Sequence, residues 1–221
     1  MRVAAVQMAF APTIGGNLGK IRAAIAEAAR RKADAVLFPE CATTGYSCDF
    51  RSLRPGEVRD ALAAIGEVAH HHAINVLVGT PLFAGKKLHN ALVVIDRKGR
   101  PVHAYAKCQL TDLDRRVFAP GDAVALFKID GVPATAIVCH ERRYPELVRL
   151  GVMAGARICF HSNAGLDTLA VSDDDVVALS LAREPFYRQA HLTIDTSGRT
   201  IDQVVADLVA ALREAPHAAK L

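Results

Sequence analysis

Residues 132–147 read VPATAIVCHERRYPEL. The apolar run ending at Val138 has the composition of a buried strand, Cys139 follows it directly, and a helical pattern is predicted over residues 144–154. A strand that hands over to a helix through a polar turn is the repeating unit of α/β proteins. Working outward, strands are expected over residues 125–129, joined to the first through Asp130-Gly131, and over 157–160. Further upstream, residues 88–95 and 101–106 flank Asp96-Arg97-Lys98-Gly99-Arg100, a turn-forming cluster that predicts a hairpin and hence a mixed sheet. A helix over residues 57–72 places Val58, Leu62, Ile65 and Ala69 on one face, and strands are expected over 74–78 and over 35–38, the latter stopped by Pro39. The chain opens with a strand over residues 2–8 and a helix N-capped by Asn17, with Leu18, Ile21, Ile25 and Ala28 at helical spacing. Beyond a small, acidic stretch at 162–175, a helix (176–188), a strand (192–195) and a last helix (201–212) are predicted. The pattern contains no internal repeat.

The 221 residues suffice for one substantial core, and a hydrophobic content of 51% without Trp suits an α/β protein rather than a disordered or fibrous one. The 27 basic and 23 acidic side chains leave a formal charge of +4, and the basic residues are scattered, which argues against a nucleic-acid partner. No apolar run approaches the roughly 18 residues of a membrane span, and MRVAAVQM is too short for a signal peptide. A cytoplasmic location with no membrane partner is the expectation. The five cysteines are odd in number and lack paired ligand spacing, so neither a disulfide framework nor a zinc site is indicated. His70-His71-His72 does not read as a metal site either, because consecutive helical residues point in different directions. GGNLGK at 15–20 falls one residue short of a phosphate loop and has Ile21 where a hydroxyl is needed.

Three polar residues each end an apolar strand: Glu40, Lys107 and Cys139. Strand ends are where α/β folds gather reactive groups, although a single Cys behind a Val-rich strand is most often packing and a single Glu or Lys is most often solvated. Together they make a chemical set. A cysteine attacks a carbonyl or nitrile carbon as thiolate, which Glu40 as base can generate, returning the proton to the departing amine. Lys107 and the backbone N–H of His140 would hold the resulting oxyanion.

FPECATTGY around Glu40, YAKCQL around Lys107 and VCHERRYPEL around Cys139 together resemble the three signature blocks of the nitrilase superfamily of carbon-nitrogen hydrolases. Their separations, 67 residues from Glu40 to Lys107 and 32 from Lys107 to Cys139, are similar to that family's, as are VAAVQM, GGNLGKI, HNALVVID and VFAPGD in their places. The resemblance implies an α-β-β-α sandwich of mixed sheets and a Glu-Lys-Cys triad. It also implies hydrolysis of a nonpeptide carbon-nitrogen bond in a small-molecule amide, carbamoyl compound or nitrile, through a thioester, without a cofactor and in a homo-oligomer. Carried over residue by residue, Asp114 stands where the family usually has a glutamate supporting the lysine, one methylene shorter. Arg143 matches the arginine four residues after the nucleophile, as substrate contact or structural ion pair, and Tyr46 lines the pocket or simply packs. Arg142 and Arg143 point to a carboxylate on the substrate. Cys41, Cys48, Cys108 and Cys159 are assigned to packing.

The resemblance covers residues 1–165. After Phe160-His161-Ser162-Asn163 the family's later motifs are absent, so the sandwich is expected to be incomplete in its second half. Residues 181–212 instead resemble the C-terminal strand and helix of shikimate kinases, which makes 166–221 an atypical tail, and no phosphate cradle accompanies it to support a kinase. Two functional readings follow: an active amidase-like hydrolase, or a catalytically impaired nitrilase-like protein that acts by binding or assembly.

Overall fold

The computed structural model describes residues 1–164; the predicted elements at 176–188, 192–195 and 201–212, and the whole kinase-like stretch, lie outside the described residues. Five strands make the first sheet in the order β1-β2-β3-β4-β5: Val3–Ala5, Ala35–Leu37, Asn75–Ala84, Lys87–Ile95 and Pro101–Ala106. β1, β2 and β3 are parallel because α1 (Ile14–Arg30) and α2 (Pro55–His71) return the chain between them, whereas β3, β4 and β5 form an antiparallel meander. The hairpin expected around residues 96–100 is present, its turn held by the Asp96 carboxylate, which accepts from the Lys98 and Arg100 amides at 2.9 Å.

Two expectations are corrected. The cap of α1 is Thr13, whose hydroxyl accepts from the Gly16 amide at 3.1 Å, while Asn17 is buried in the first turn. Its amide instead bonds both backbone groups of Ala11 and the Thr43 carbonyl, tying the entry of α1 to the loop after β2. β3 does not stop at residue 78 but runs to Ala84, where Gly85 at φ 60° turns the chain into β4. Pro81 hides this extension from a sequence reading, since proline inside a run argues against a strand.

The second sheet has the order β6-β7-β8: Phe127–Ile129, Val132–Val138 and Ile158–Ser162. Asp130-Gly131, with φ of 48° and 80°, closes the β6–β7 hairpin, and α3 (Pro145–Met153) carries the chain across to β8, which is parallel to β7. The period of two along each strand decides the layers. Val76, Val78, Val93 and Ile95 face Ile21, Ile25, Ile65 and Ala69 of the helices. Leu77, Leu92, Val94 and Tyr105 meet Ile129, Ala134, Ala136, Val138 and Phe160 of the second sheet. α3 covers the opposite face of β7, where Gly151 lies so close to Thr135 that an added Cβ would meet that threonine's Cβ at 2.7 Å. The described residues thus form the expected α-β-β-α order.

β5 is antiparallel to β4, as β4 is to β3, so β2, β3 and β5 all point their C-terminal ends to one edge, and the N-terminal end of β4 reaches the same edge. Glu40, Lys107 and Asn90 therefore meet there by topology, with Cys139 supplied by β7 of the facing sheet.

Candidate active site

Lys107, at 1% exposure, donates from Nζ to Glu40 Oε1 at 2.7 Å and to Asp114 Oδ2 at 2.8 Å. Burial alone would lower its pKa, but the two carboxylates outweigh that cost and hold the ammonium well above the ordinary lysine value. Two of its three protons are committed to these bonds, which leaves a third donor for another acceptor. Its backbone is fixed as well: the Lys107 amide donates to the Asn90 carbonyl at 2.8 Å, and its carbonyl accepts from Gly121 in the APG turn at 2.9 Å.

Asp114 reaches Lys107 despite its shorter side chain because it opens a 3-10 turn (Asp114–Arg116) tied to Thr111 in both directions: the Thr111 amide donates to its carboxylate, and its own amide donates to the Thr111 hydroxyl, both at 3.1 Å. Glu40 is 1% exposed. Asn90 Nδ2 donates to the same Oε1 that Lys107 uses, at 2.7 Å, and to the Tyr46 hydroxyl at 3.0 Å. Glu40 Oε1 is thus occupied twice.

The Cys139 thiol lies close enough to Glu40 for the carboxylate's charge to act on it. Cys139 is half-buried at the end of β7 with φ 49°, a left-handed conformation that costs a non-glycine residue about 1–3 kcal/mol and aims Sγ off the strand axis. The 3-10 turn Cys139–Arg143 follows immediately. Burial first, and then the negative charge of Glu40, push the Cys139 pKa up to about 11, against a partial pull from Lys107. The resting group is a thiol beside a carboxylate.

Four further residues assigned from the sequence surround this cluster in the chain. Tyr46 is half-buried, its hydroxyl on Asn90 and its ring edge-on to Phe50 at 6.2 Å, so it both packs and joins the carboxylate network. His140 is half-buried beside Cys139, and burial, with Arg143, Lys107 and Arg142 behind it, lowers its pKa. Arg142 and Arg143 are exposed, and neither forms an ion pair with a described carboxylate, so the ion-pair alternative for Arg143 does not hold among the described residues. The packing assignment of Cys159 is corrected: it alternates outward on β8 and is exposed, while Cys41 is buried and Cys48 and Cys108 are half-buried. The sequence reading missed Asn90 and Glu141, both fully buried polar residues; HNALVVID contained the one signal for Asn90, a polar side chain interrupting an apolar strand.

The chain is 26% identical over 136 residues to the 2-oxoglutaramate amidase of Bacillus subtilis, covering 60% of this chain and 52% of that protein. It is 25% identical over 177 residues to the omega-amidase of Danio rerio, covering 74% and 63%. It is 32% identical over 174 residues to the glutamine-dependent NAD(+) synthetase of Xylella fastidiosa, covering 74% of this chain and 32% of that enzyme. It therefore spans about a third to two thirds of the length of these relatives. The amidase of Nesterenkonia sp. AN1 shares the fold, with a TM-score of 0.69 over 74% of this chain and 66% of that one at 24% identity. The carbon-nitrogen hydrolase family model matches residues 2–181, and the chain belongs to that family.

Proposed function

We propose that the protein hydrolyses the amide bond of a small molecule, with Cys139 as nucleophile, Glu40 as acid-base and Lys107 with the His140 backbone N–H as oxyanion donors. The observation that carries this reading is the buried cluster in which Lys107 bridges Glu40 and Asp114 with Cys139 beside Glu40.

A thiol pushed to about 11 is not ionised at neutral pH, so attack requires proton transfer at the moment of bond formation. Sγ of Cys139 bonds to the substrate carbonyl carbon as Glu40 accepts the thiol proton. The carbonyl oxygen becomes an oxyanion, and the uncommitted Nζ–H of Lys107 meets it. Glu40 then gives its proton to the amide nitrogen, the carbon-nitrogen bond breaks, and ammonia or an amine leaves a thioester. Water, deprotonated by Glu40, cleaves the thioester and restores the thiol. Asp114 balances the Lys107 charge throughout, which keeps Glu40 from having to serve as its only counter-ion.

The relatives named 2-oxoglutaramate amidase and omega-amidase, with Arg142 and Arg143 exposed next to the nucleophile turn, support an amide whose other end carries a carboxylate. Ammonia release by the whole chain from paired neutral and acidic amides tests this, with Cys139→Ala as control. Turnover of the acidic amides, lost in Cys139→Ala, is expected. No turnover of any amide by the wild-type chain would overturn it and favour a binding or assembly role.

A further inference from the structure

Glu141 is fully buried, two residues after Cys139, and pairs with no cation among the described residues. A buried carboxylate without a counter-ion persists only when hydrogen bonds replace its hydration. Four do so here. Oε1 accepts from the Tyr105 hydroxyl at 2.7 Å, the Cys108 amide at 2.7 Å and the Gln109 amide at 3.1 Å, and Oε2 accepts from the Val138 amide at 2.7 Å.

The origin of these donors is informative. Tyr105 at the end of β5 and Cys108 and Gln109 in the loop after it bracket Lys107, and Val138 immediately precedes Cys139 at the end of β7. One carboxylate thus connects the Tyr105 side chain and the backbone just after the lysine to the backbone that enters the nucleophile turn. The turn it sits in is the one whose first residue is held at φ 49°, so the bond to Val138 also opposes relaxation of Cys139 toward extended backbone.

We propose that Glu141 is a positioning residue that sets the separation of Cys139 from Lys107 and Glu40 by clamping the lysine loop to the nucleophile turn. This rests on the reading of Cys139 as nucleophile, and it goes beyond that reading in giving the sheet-to-sheet alignment of the site to a residue that never meets substrate. The alternative is a carboxylate that supports the fold without influencing the thiol.

Glu141→Gln separates the two. It preserves size but puts an amide NH2 where donors converge, so one side of the clamp must open. A displacement of the order of 1 Å costs about 100-fold in rate, and a fall of that size in kcat is expected, with KM changed less than about threefold. Independently of turnover, the pH midpoint of Cys139 alkylation by iodoacetamide should move down from about 11 toward an ordinary thiol value, because burial and Glu40 are what raise it. Glu141→Asp keeps both acceptor oxygens on a side chain one methylene shorter and should lose less than Glu141→Gln. If Glu141→Gln fails to fold, Tyr105→Phe removes one donor and leaves three, and a smaller change in the same two readouts is expected. A lower melting temperature with an unchanged kcat and an unchanged Cys139 midpoint, in whichever variant folds, would overturn the proposal. Should the wild-type chain hydrolyse no amide, the proposed function falls, and the alkylation midpoints still decide the role of Glu141.

Discussion

Cys139 exchanges its proton under two influences of the folded state, burial and the Glu40 charge, both of which favour the thiol. The folded value of about 11 lies above the ordinary value of 9.0, so between these pH values the unfolded chain has lost a proton that the native state retains. The contribution is fully present below 9.0 and is lost as pH rises toward about 11. Thermal unfolding followed from pH 8 to pH 11 should therefore show a steeper decline for wild type than for Cys139→Ala, and parallel declines would refute the assignment. Asn90 acts on the neighbouring carboxylate: together with Lys107 it fixes one oxygen of Glu40, an orientation that a carboxylate on a free loop would not keep.

At the scale of elements, the loop after β2 lies against β3, and Gly79 makes the approach possible. A Cβ at that position would overlap the Pro39 carbonyl and come within 2.6 Å of the Glu40 Cα and 2.8 Å of the Cys41 nitrogen, all of them backbone atoms that cannot rotate aside. Cys41 itself is held at φ 52°, so this segment has little freedom to absorb a shift. Gly79→Ala should displace Glu40 and reduce kcat by about 100-fold, the scale of an ångström-size misplacement, while lowering stability by about 1–3 kcal/mol as overpacking does. Steady-state kinetics together with a denaturant titration check both, and wild-type kcat in Gly79→Ala would show that the loop adjusts without moving the carboxylate. Gly121 performs a similar service beside β5, where an added Cβ would lie within 2.8 Å of the Ala106 carbonyl carbon.

Across the whole molecule the two sheets are joined by their apolar interface and, at the rim opposite the site, by Arg97. Its guanidinium bonds Asp34 ahead of β2 at 3.0 Å, Asp130 of the β6–β7 turn at 2.7 Å and the Ala73 carbonyl at 2.5 Å. Asn75 adds a bond to Asp130 at 3.0 Å. Because Arg97, Asp34 and Asp130 are each more than a third exposed or close to it, solvent screens the pairs, and Arg97→Ala should cost about 1 kcal/mol despite the number of bonds. Equilibrium unfolding at low and high salt checks this: the difference from wild type should shrink as salt rises, and a salt-independent loss would assign the effect to packing of the arginine stem instead. The strand-helix alternation, the two glycine turns and the three polar residues at strand ends were legible in the sequence because each is a local property, fixed by periodicity or by which residues tolerate positive φ. What local properties do not carry is convergence. Pro81 concealed the length of β3, Asn17 passed for a cap because its real partners lie in another loop, and Asn90 and Glu141 looked like ordinary polar residues beside a strand. The sequence by itself determined which chemical groups this protein has and the layers that hold them. Only the tertiary structure decided which donors share one oxygen of Glu40 and which carboxylate bonds both sheets, because those depend on strand directions and on donors that meet across long separations in the chain.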